Sequence, residues 1–401
     1  MKRTHLYILA SLFLLSLTAE AQSFTELSPR YEAAIQSVVA QNTSLKAVRQ
    51  QNEAERLRLQ ASQRLPDPEA EVAYLVGSPN GVPNRTNVTV TQQLDWGVLT
   101  GRRKDAAKVG GEVLALGQAA AAREVREAAD CALVELVYRN KMCLETRRRA
   151  ETAQEIFALY GRKYAQGEIS LPDLNKARLS ASVARAAVQR AETERKEAEA
   201  AIALLAGGAD ISYPDTVYGT LSPDLPPLPQ LLSQAQSSSA VALADGAVRQ
   251  SLAERDVAKA ETWPALTAGF MGEYIKNNNY SGISLGFSLP LWGGGRKRVK
   301  QAEAQTLARQ IEADGVRTRL QAAVSRQYQS AADLLLTESQ LRESLSETDN
   351  AALLRRSLEE GRISLLEYLT ETAFYYDART AQLEAERDAQ TALARLRALL
   401  R

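Results

Sequence analysis

Residues 285–300 read LGFSLPLWGGGRKRVK. An alternating apolar/polar segment ends there in Leu291-Trp292, three glycines follow to turn the chain, and an Arg/Lys/Ala/Glu-rich helix begins. A closely similar passage occupies residues 88–104, VTVTQQLDWGVLTGRRK, so the chain is built twice. Gly295 and Gly101 are 194 residues apart, and so are Gly361-Arg362-Ile363-Ser364-Leu365 and Gly167-Glu168-Ile169-Ser170-Leu171. One register therefore holds along the whole helix between the motifs. Upstream, Leu65-Pro66 matches Trp263-Pro264 at an offset of 198, which puts four extra residues in the first copy, in its loop 78–86. A period this long indicates a duplicated domain and not a solenoid repeat.

Each copy reads helix, strand, loop, strand, long helix, Gly turn, returning helix. The first copy spans 22–212, with a hairpin at 69–96, a long helix at 102–166 and a returning helix at 170–206. The second spans 230–401, with a hairpin at 266–292, a long helix at 296–360 and a returning helix at 364–400. Between them lies a Pro-rich crossing segment, 213–229, whose composition alone reads as a linker. Ahead of the first copy, Lys2-Arg3, an apolar run 6–17 and Ala19-Glu20-Ala21 form the pattern of a signal peptide, residues 1–21. The apolar run is short of the ~20 residues a membrane-spanning helix needs. No cysteine follows the cleavage point to accept a lipid.

Removing that leader takes away Lys2, Arg3 and Glu20, so 47 basic residues face 47 acidic ones. A neutral chain supplies no electrostatic reason to bind nucleic acid. Its only histidine, His5, lies in the leader, which excludes histidine triads and histidine metal sites from the mature chain. Gly293-Gly294-Gly295-Arg296 lacks the spacing and the Lys-Ser/Thr ending of a phosphate loop and reads as a turn. Charge runs such as Glu194-Arg195-Lys196-Glu197 read as solvated helix faces. Cys131 and Cys143, twelve residues apart on one predicted helix, stand about 18 Å apart and cannot pair there, so both are expected as buried free thiols.

No proline occurs in 84–171 or 291–401, which leaves room for helices of roughly 60 residues, far beyond the globular norm. In the second, Val299, Ala313, Leu320, Leu334 and Leu341 share one heptad phase, and Val324, Ala331, Leu345 and Ala352 another. The stripe is thin and is interrupted by Thr306, Arg317 and Gln327. Taken alone, it suits a periplasmic coiled-coil scaffold or adaptor as well as any other long-helix protein. The strands distinguish these readings. Ile283, Leu285, Phe287, Leu289 and Leu291 alternate with Ser284, Gly286, Ser288 and Pro290, and Val88, Val90, Leu94 and Trp96 with Asn87, Thr89, Thr91, Gln93 and Asp95. Val72, Tyr74 and Val76, and Leu266, Ala268, Phe270 and Tyr274, supply matching apolar phases. Strands of ~10 residues with one apolar and one small or polar face follow the pattern of a transmembrane β-barrel. Two hairpins cannot close a barrel, and an open edge is not viable in lipid, so several chains must combine.

At this point the chain resembles the TolC family of outer-membrane efflux and secretion channels, across essentially all of the mature sequence. The resemblance is carried by Leu291-Trp292-Gly293-Gly294-Gly295-Arg296, by the acidic residues six places after each tip glycine (Asp173 after Gly167, Glu367 after Gly361), and by residues 368–378 of the returning helix. It implies a mostly α protein with membrane β structure: a homotrimer closing a 12-stranded β-barrel in outer-membrane lipid, with long helices forming a periplasmic α-barrel. It places the crossing segment outside that barrel near its equator. It implies an exit duct, without enzymatic activity or cofactor, for a tripartite efflux or type I secretion system. The partners would be a periplasmic adaptor (membrane fusion protein) and an inner-membrane pump of the resistance-nodulation-division or ABC class. Residue by residue, it assigns the pore gate and constriction to Asp173, Glu367 and Arg362, and adaptor docking to Gly167, Glu168, Ile169, Ser170, Gly361, Ile363 and Ser364. The family's basic gate position falls on Ile363, with Arg362 one place earlier. The segment 288–291 is similar to that of metal-efflux members.

Overall fold

A computed structural model describes residues 24, 26–79, 81–95, 97–220, 224–288, 294–347 and 350–401. The expected leader, Trp96, the strand-end residues 289–293 and part of the crossing segment lie outside the described residues. The first copy contains α1 (Pro29–Gln41), α2 (Thr43–Ala61), β1 (Glu69–Leu75), β2 (Arg85–Leu94), α3 (Gly97–Ala165) and α4 (Leu171–Leu205). The second contains α5 (Leu228–Ala235), α6 (Ser239–Ala260), β3 (Ala265–Ile275), β4 (Asn278–Ser288), α7 (Gly294–Glu347), α8 (Ala351–Glu359) and α9 (Leu365–Leu400). The compact units cut across these copies. One gathers the described residues of 1–46, 121–238 and 320–401, and the other 47–120 and 239–319.

The second unit holds a four-stranded antiparallel sheet in the order β1-β2-β3-β4. Its register settles which side chains share a face: Val72 opposes Val88, Val90 opposes Phe270, and Phe270 opposes Ile283. Leu266 likewise opposes both Leu94 and Phe287. The other face carries Thr89, Asn87 and Thr91 against Met271, Glu273 and Gly269, with an ion pair of 2.9 Å between Arg85 and Glu273. The β3–β4 connection is a two-residue turn in which Asn277 adopts φ 75°. That of β1–β2 is nine residues long, which accommodates the extra length of the first copy.

Helix starts and breaks depart from expectation. α3 begins at Gly97, so Gly101 lies inside a helix, and Gly294 and Gly295 open α7 as helical residues in place of a turn. The helix expected at 296–360 is two helices, because α7 ends at Glu347 and α8 starts at Ala351. Ala313, Leu320, Val324, Ala331 and Leu345 of the predicted stripe are buried, whereas Ala352 is exposed. The new helix takes its own phase, set by Leu354 and Leu358. Thr306, read as an interruption, is buried in the seam, its hydroxyl donating to the Ala302 carbonyl at 2.9 Å.

The first unit is cored by Tyr31, Ile35 and Val38 of α1, Leu133, Leu136 and Val137 of α3, Ile202 of α4, and Tyr213 and Tyr218 of the crossing segment. That segment is therefore structural and not a loose linker. Asn140 donates its Nδ2 to the carbonyls of Tyr213 and Asp215, both at 3.0 Å, and a β-bridge joins Leu27 to Thr220. Gly219 is required there, since a Cβ would meet the Tyr31 ring at 2.3 Å. Cys143 is buried but Cys131 only half-buried, and both are free. Burial pushes both thiols up, which keeps them unreactive.

Candidate functional site

The two helical tips belong to the first unit and are built alike. α3 ends as Gly167 takes φ 77°, its N–H donating to the Tyr164 carbonyl at 3.0 Å while Glu168 N–H reaches Lys163 at 2.9 Å. α8 ends as Gly361 takes φ 71°, with the bonds Gly361 to Leu358 at 3.1 Å and Arg362 to Ser357 at 2.8 Å. This left-handed closure satisfies two otherwise orphaned carbonyls and suits glycine, which has no Cβ to clash. After each closure a serine caps the next helix. Ser364 and Glu367 form a full capping box: Glu367 N–H donates to Ser364 Oγ at 3.2 Å, and Ser364 N–H to Glu367 Oε2 at 2.7 Å. Ser170 repeats half of it, donating its hydroxyl to Asp173 Oδ2 at 2.6 Å and accepting from Asp173 N–H at 3.4 Å.

These bonds set the acids' charge state. The Ser170 hydroxyl, then the Lys176 ammonium at 3.2 Å, hold the Asp173 carboxyl below its ordinary range. The Ser364 backbone N–H, then its side chain, does the same for Glu367. Each acid also sits in the first turn of a helix, where the dipole favours negative charge. Asp173 and Glu367 are thus ionised at neutral pH. Arg362 is 74% exposed and bonded to Glu360 at 2.8 Å, and it is brought to neither acid.

Beneath the tips lies one apolar cluster of Ile156, Tyr160, Leu174, Leu358, Leu365 and Tyr368, with Ile169 and Ile363 packed against it. Of the expected docking residues, Gly167, Glu168, Ser170, Gly361 and Ser364 are exposed, and Ile169 and Ile363 are half-buried. An apolar groove of about 610 Å³ runs along α3, α4 and α9, bordered by Leu179, Val183 and Leu366, which stand 66%, 69% and 62% exposed.

Sequence reasoning missed a buried ionic network in the same unit. Arg397 donates from Nη2 to Asp130 Oδ2 at 2.9 Å, and Tyr31 OH donates to Asp130 Oδ1 at 2.9 Å. Arg397 Nη1 also reaches Thr220 Oγ1 at 3.0 Å, and Thr220 in turn donates to Gln390 at 2.7 Å. Burial, and after it the neighbouring Asp130 carboxylate, drives the Tyr31 hydroxyl well above its usual range. The available signal was Arg397 on an otherwise apolar helix face, between Leu393, Leu396 and Leu400. Among the described residues no cluster of His, Cys, Asp and Glu is placed to hold a metal, and no helix is long and apolar enough to cross a membrane.

The sheet carries the other candidate surface. On its apolar face Ile283, Leu285 and Phe287 are 82%, 71% and 71% exposed, and Val72, Val90 and Phe270 are also open. Burial on this scale is left to whatever surrounds the sheet.

Comparison with known proteins fits these two surfaces. Residues 231–400 match the family model described as outer membrane efflux protein. No curated protein matches the chain. Among solved structures, a membrane protein from Pseudomonas aeruginosa aligns at 20% identity and TM-score 0.76, covering 94% of this chain and 91% of that one. CusC, whose crystal structures concern folding and transmembrane channel formation, aligns at 15% identity and TM-score 0.76 over 94% of this chain and 93% of its own. The open-state MtrE outer membrane channel of Neisseria gonorrhoeae aligns at 18% identity and TM-score 0.76, covering 93% and 89%. Residues 231–400 are therefore similar to an outer membrane efflux protein domain, and the chain shares the fold of these solved membrane proteins.

Proposed function

We propose that the protein is the outer-membrane exit duct of a tripartite efflux or type I secretion system, acting as a homotrimer. The observation that carries this is the four-stranded antiparallel sheet with one exposed apolar face and two unpaired edges, β1 and β4. In lipid an open edge leaves backbone groups without partners, so the edges must meet those of other copies. Three copies supply twelve strands, apolar outward and polar inward. The groove bordered by Leu179, Val183 and Leu366 supports lateral packing of helices between copies. The duct moves solutes and carries out no bond chemistry.

In this reading the tips face the periplasm. Asp173 and Glu367, repeated three times about an axis, form carboxylate rings at the entrance that favour cations. Their exposed neighbours Glu168, Ser170 and Ser364 offer the adaptor a polar surface over a firm apolar base, where the adaptor couples the duct to a pump of the resistance-nodulation-division or ABC class. Arg362, held by Glu360, lies outside the ring.

The deciding experiment is the mass of the detergent-extracted protein from outer-membrane fractions, before and after heating. A species of three chains that collapses to one is expected. A detergent-independent soluble monomer would overturn the duct and favour a periplasmic coiled-coil scaffold.

A further inference from the structure

The duplicated strand-to-helix junctions carry similar charges but treat them differently. In the first copy Arg102 pairs with Asp256 at 3.7 Å, and Arg103 pairs with Asp95 and, at 3.7 Å, with Glu261. The 194-residue offset maps Arg102, Arg103 and Lys104 onto Arg296, Lys297 and Arg298, and Lys300 adds a fourth cation. These four are all exposed and have no ion pair among the described residues, where the neighbouring Glu303 is engaged by Lys259 at 3.5 Å. The reason is in the sequence. Positions equivalent to Asp95, Asp256 and Glu261 are Leu289, Arg58 and Gln63, none of them acidic. Duplication kept the cations and lost their counter-charges.

Their placement follows from helix geometry. Gly295 packs toward Thr262, where a Cβ would stand 3.3 Å from its methyl, and Val299 is half-buried. At about 100° per residue, Arg296, Lys300 and Lys297 fan over about 100° of the face away from that contact, and Arg298 flanks it on the other side. The cluster follows the exposed apolar row Ile283, Leu285 and Phe287 within the same unit. A surface that is apolar along the strand and cationic just beyond it matches a phospholipid, with acyl chains on the row and phosphate on the cations. Guanidinium groups bind phosphate oxygens in a bidentate fork, and ammonium groups add point charge.

We infer that Arg296, Lys297, Arg298 and Lys300 form a headgroup site for anionic phospholipid of the periplasm-facing leaflet. This rests on the exit-duct reading, which puts β4 in the membrane and α7 on its periplasmic side. Acidic lipid there would anchor the junction at a fixed depth and replace the counter-charges that the second copy lacks.

The test uses the full mature protein in lipid nanodiscs of phosphatidylcholine alone or mixed equally with phosphatidylglycerol, with lipid retained on the released protein read by native mass spectrometry. Phosphatidylglycerol should be retained over phosphatidylcholine by about tenfold or more, falling with salt. The preference should vanish in R296Q/K297Q/R298Q/K300Q, persist in R296K/R298K, and persist in R309Q, whose arginine lies further along α7 bonded to Glu312 at 2.8 Å. If the fourfold variant fails to assemble, K297Q carries the test, with an expected loss of about fivefold. Equal retention of the two lipids by the unaltered protein would overturn the inference, as would an unchanged preference in the variants. Displacement of the lipid by inorganic phosphate at matched concentration would also overturn it, pointing to a free-phosphate site. Protein that never enters the discs would instead overturn the exit-duct reading, a result distinct from insertion without lipid preference.

Discussion

The α1–α3–α9 core and the four-stranded sheet solve the burial problem in opposite ways. In the core, Leu133, Leu136, Leu393 and Leu396 are fully enclosed, and even a charge pair, Arg397 with Asp130, is 3% and 7% exposed with its hydrogen bonds supplied by Tyr31 and Thr220. In the sheet, Ile283 and Phe287 face outward with 82% and 71% of their surface open. The first region completes its packing within one chain; the second leaves its apolar face open in the single chain. The difference shows that exposure in a single chain has two meanings: a solvated helix face when the residues are charged, and an unfinished surface when they are apolar in strict alternation.

The comparison is broken most severely from inside the core. Arg397→Ala leaves Asp130 buried without its cation and should destabilise the helical region by about 3–5 kcal/mol, read from denaturant titration of the helical signal. Replacing both partners, as D130L/R397M, should recover most of that loss, since two apolar groups leave no uncompensated charge. In the sheet the same logic inverts, because introducing a charge is what disrupts it. Leu285→Arg should cost about 2–4 kcal/mol near the bilayer midplane, measured as the stability of the reconstituted trimer, and far less if the residue faces water.

Smaller effects belong to the tips. Gly361→Ala forces a Cβ into a left-handed backbone at φ 71° and should cost about 1–2 kcal/mol. Ser364→Ala should cost about 1 kcal/mol through loss of the cap, and Ser170→Ala less, since the Asp173 N–H bond it accepts is longer at 3.4 Å. Because Asp173 and Glu367 have native pKa values below their unfolded ones, their contribution is complete above the ordinary carboxylate range near about pH 4 and is lost as pH falls through the lowered native values. Acid titration of the helical signal should therefore flatten in the variant E367Q. The same variant sharpens the functional side of the comparison. If the Glu367 ring lines the entrance, cation selectivity falls, and an unchanged reversal potential in planar bilayers would rule the ring out.

The tips also show how far local sequence reaches. Gly167 and Gly361 announce left-handed helix ends, and Ser170-x-x-Asp173 and Ser364-x-x-Glu367 announce caps, because both devices use neighbours within six residues. The family resemblance assigns the acids to a gate, whereas within one chain each is satisfied by its own cap. Both descriptions hold the acid ionised at neutral pH, so the capping role leaves the ring intact as a proposal. The break between α7 and α8 was less legible. The heptad phase of Leu345 continues on paper into Ala352, yet Leu358 reaches 2% exposure only by packing with Ile156 and Leu365 of other helices. Contacts of that kind decide whether a helix continues, and periodicity does not contain them.

By itself the sequence determined the duplication, the strand alternation and, in the first copy, the helical span between junction and tip. Each is written in residue spacing, and spacing survives without a fold. The tertiary structure alone decided that Arg397 is buried against Asp130, that the proline-rich crossing segment is core and that the helix after Glu347 starts afresh. It also decided that Arg102 and Arg103 of the first junction are paired while the cations of the second stand open. Burial and ion pairing join residues hundreds of positions apart, and those distances close only when the chain has packed.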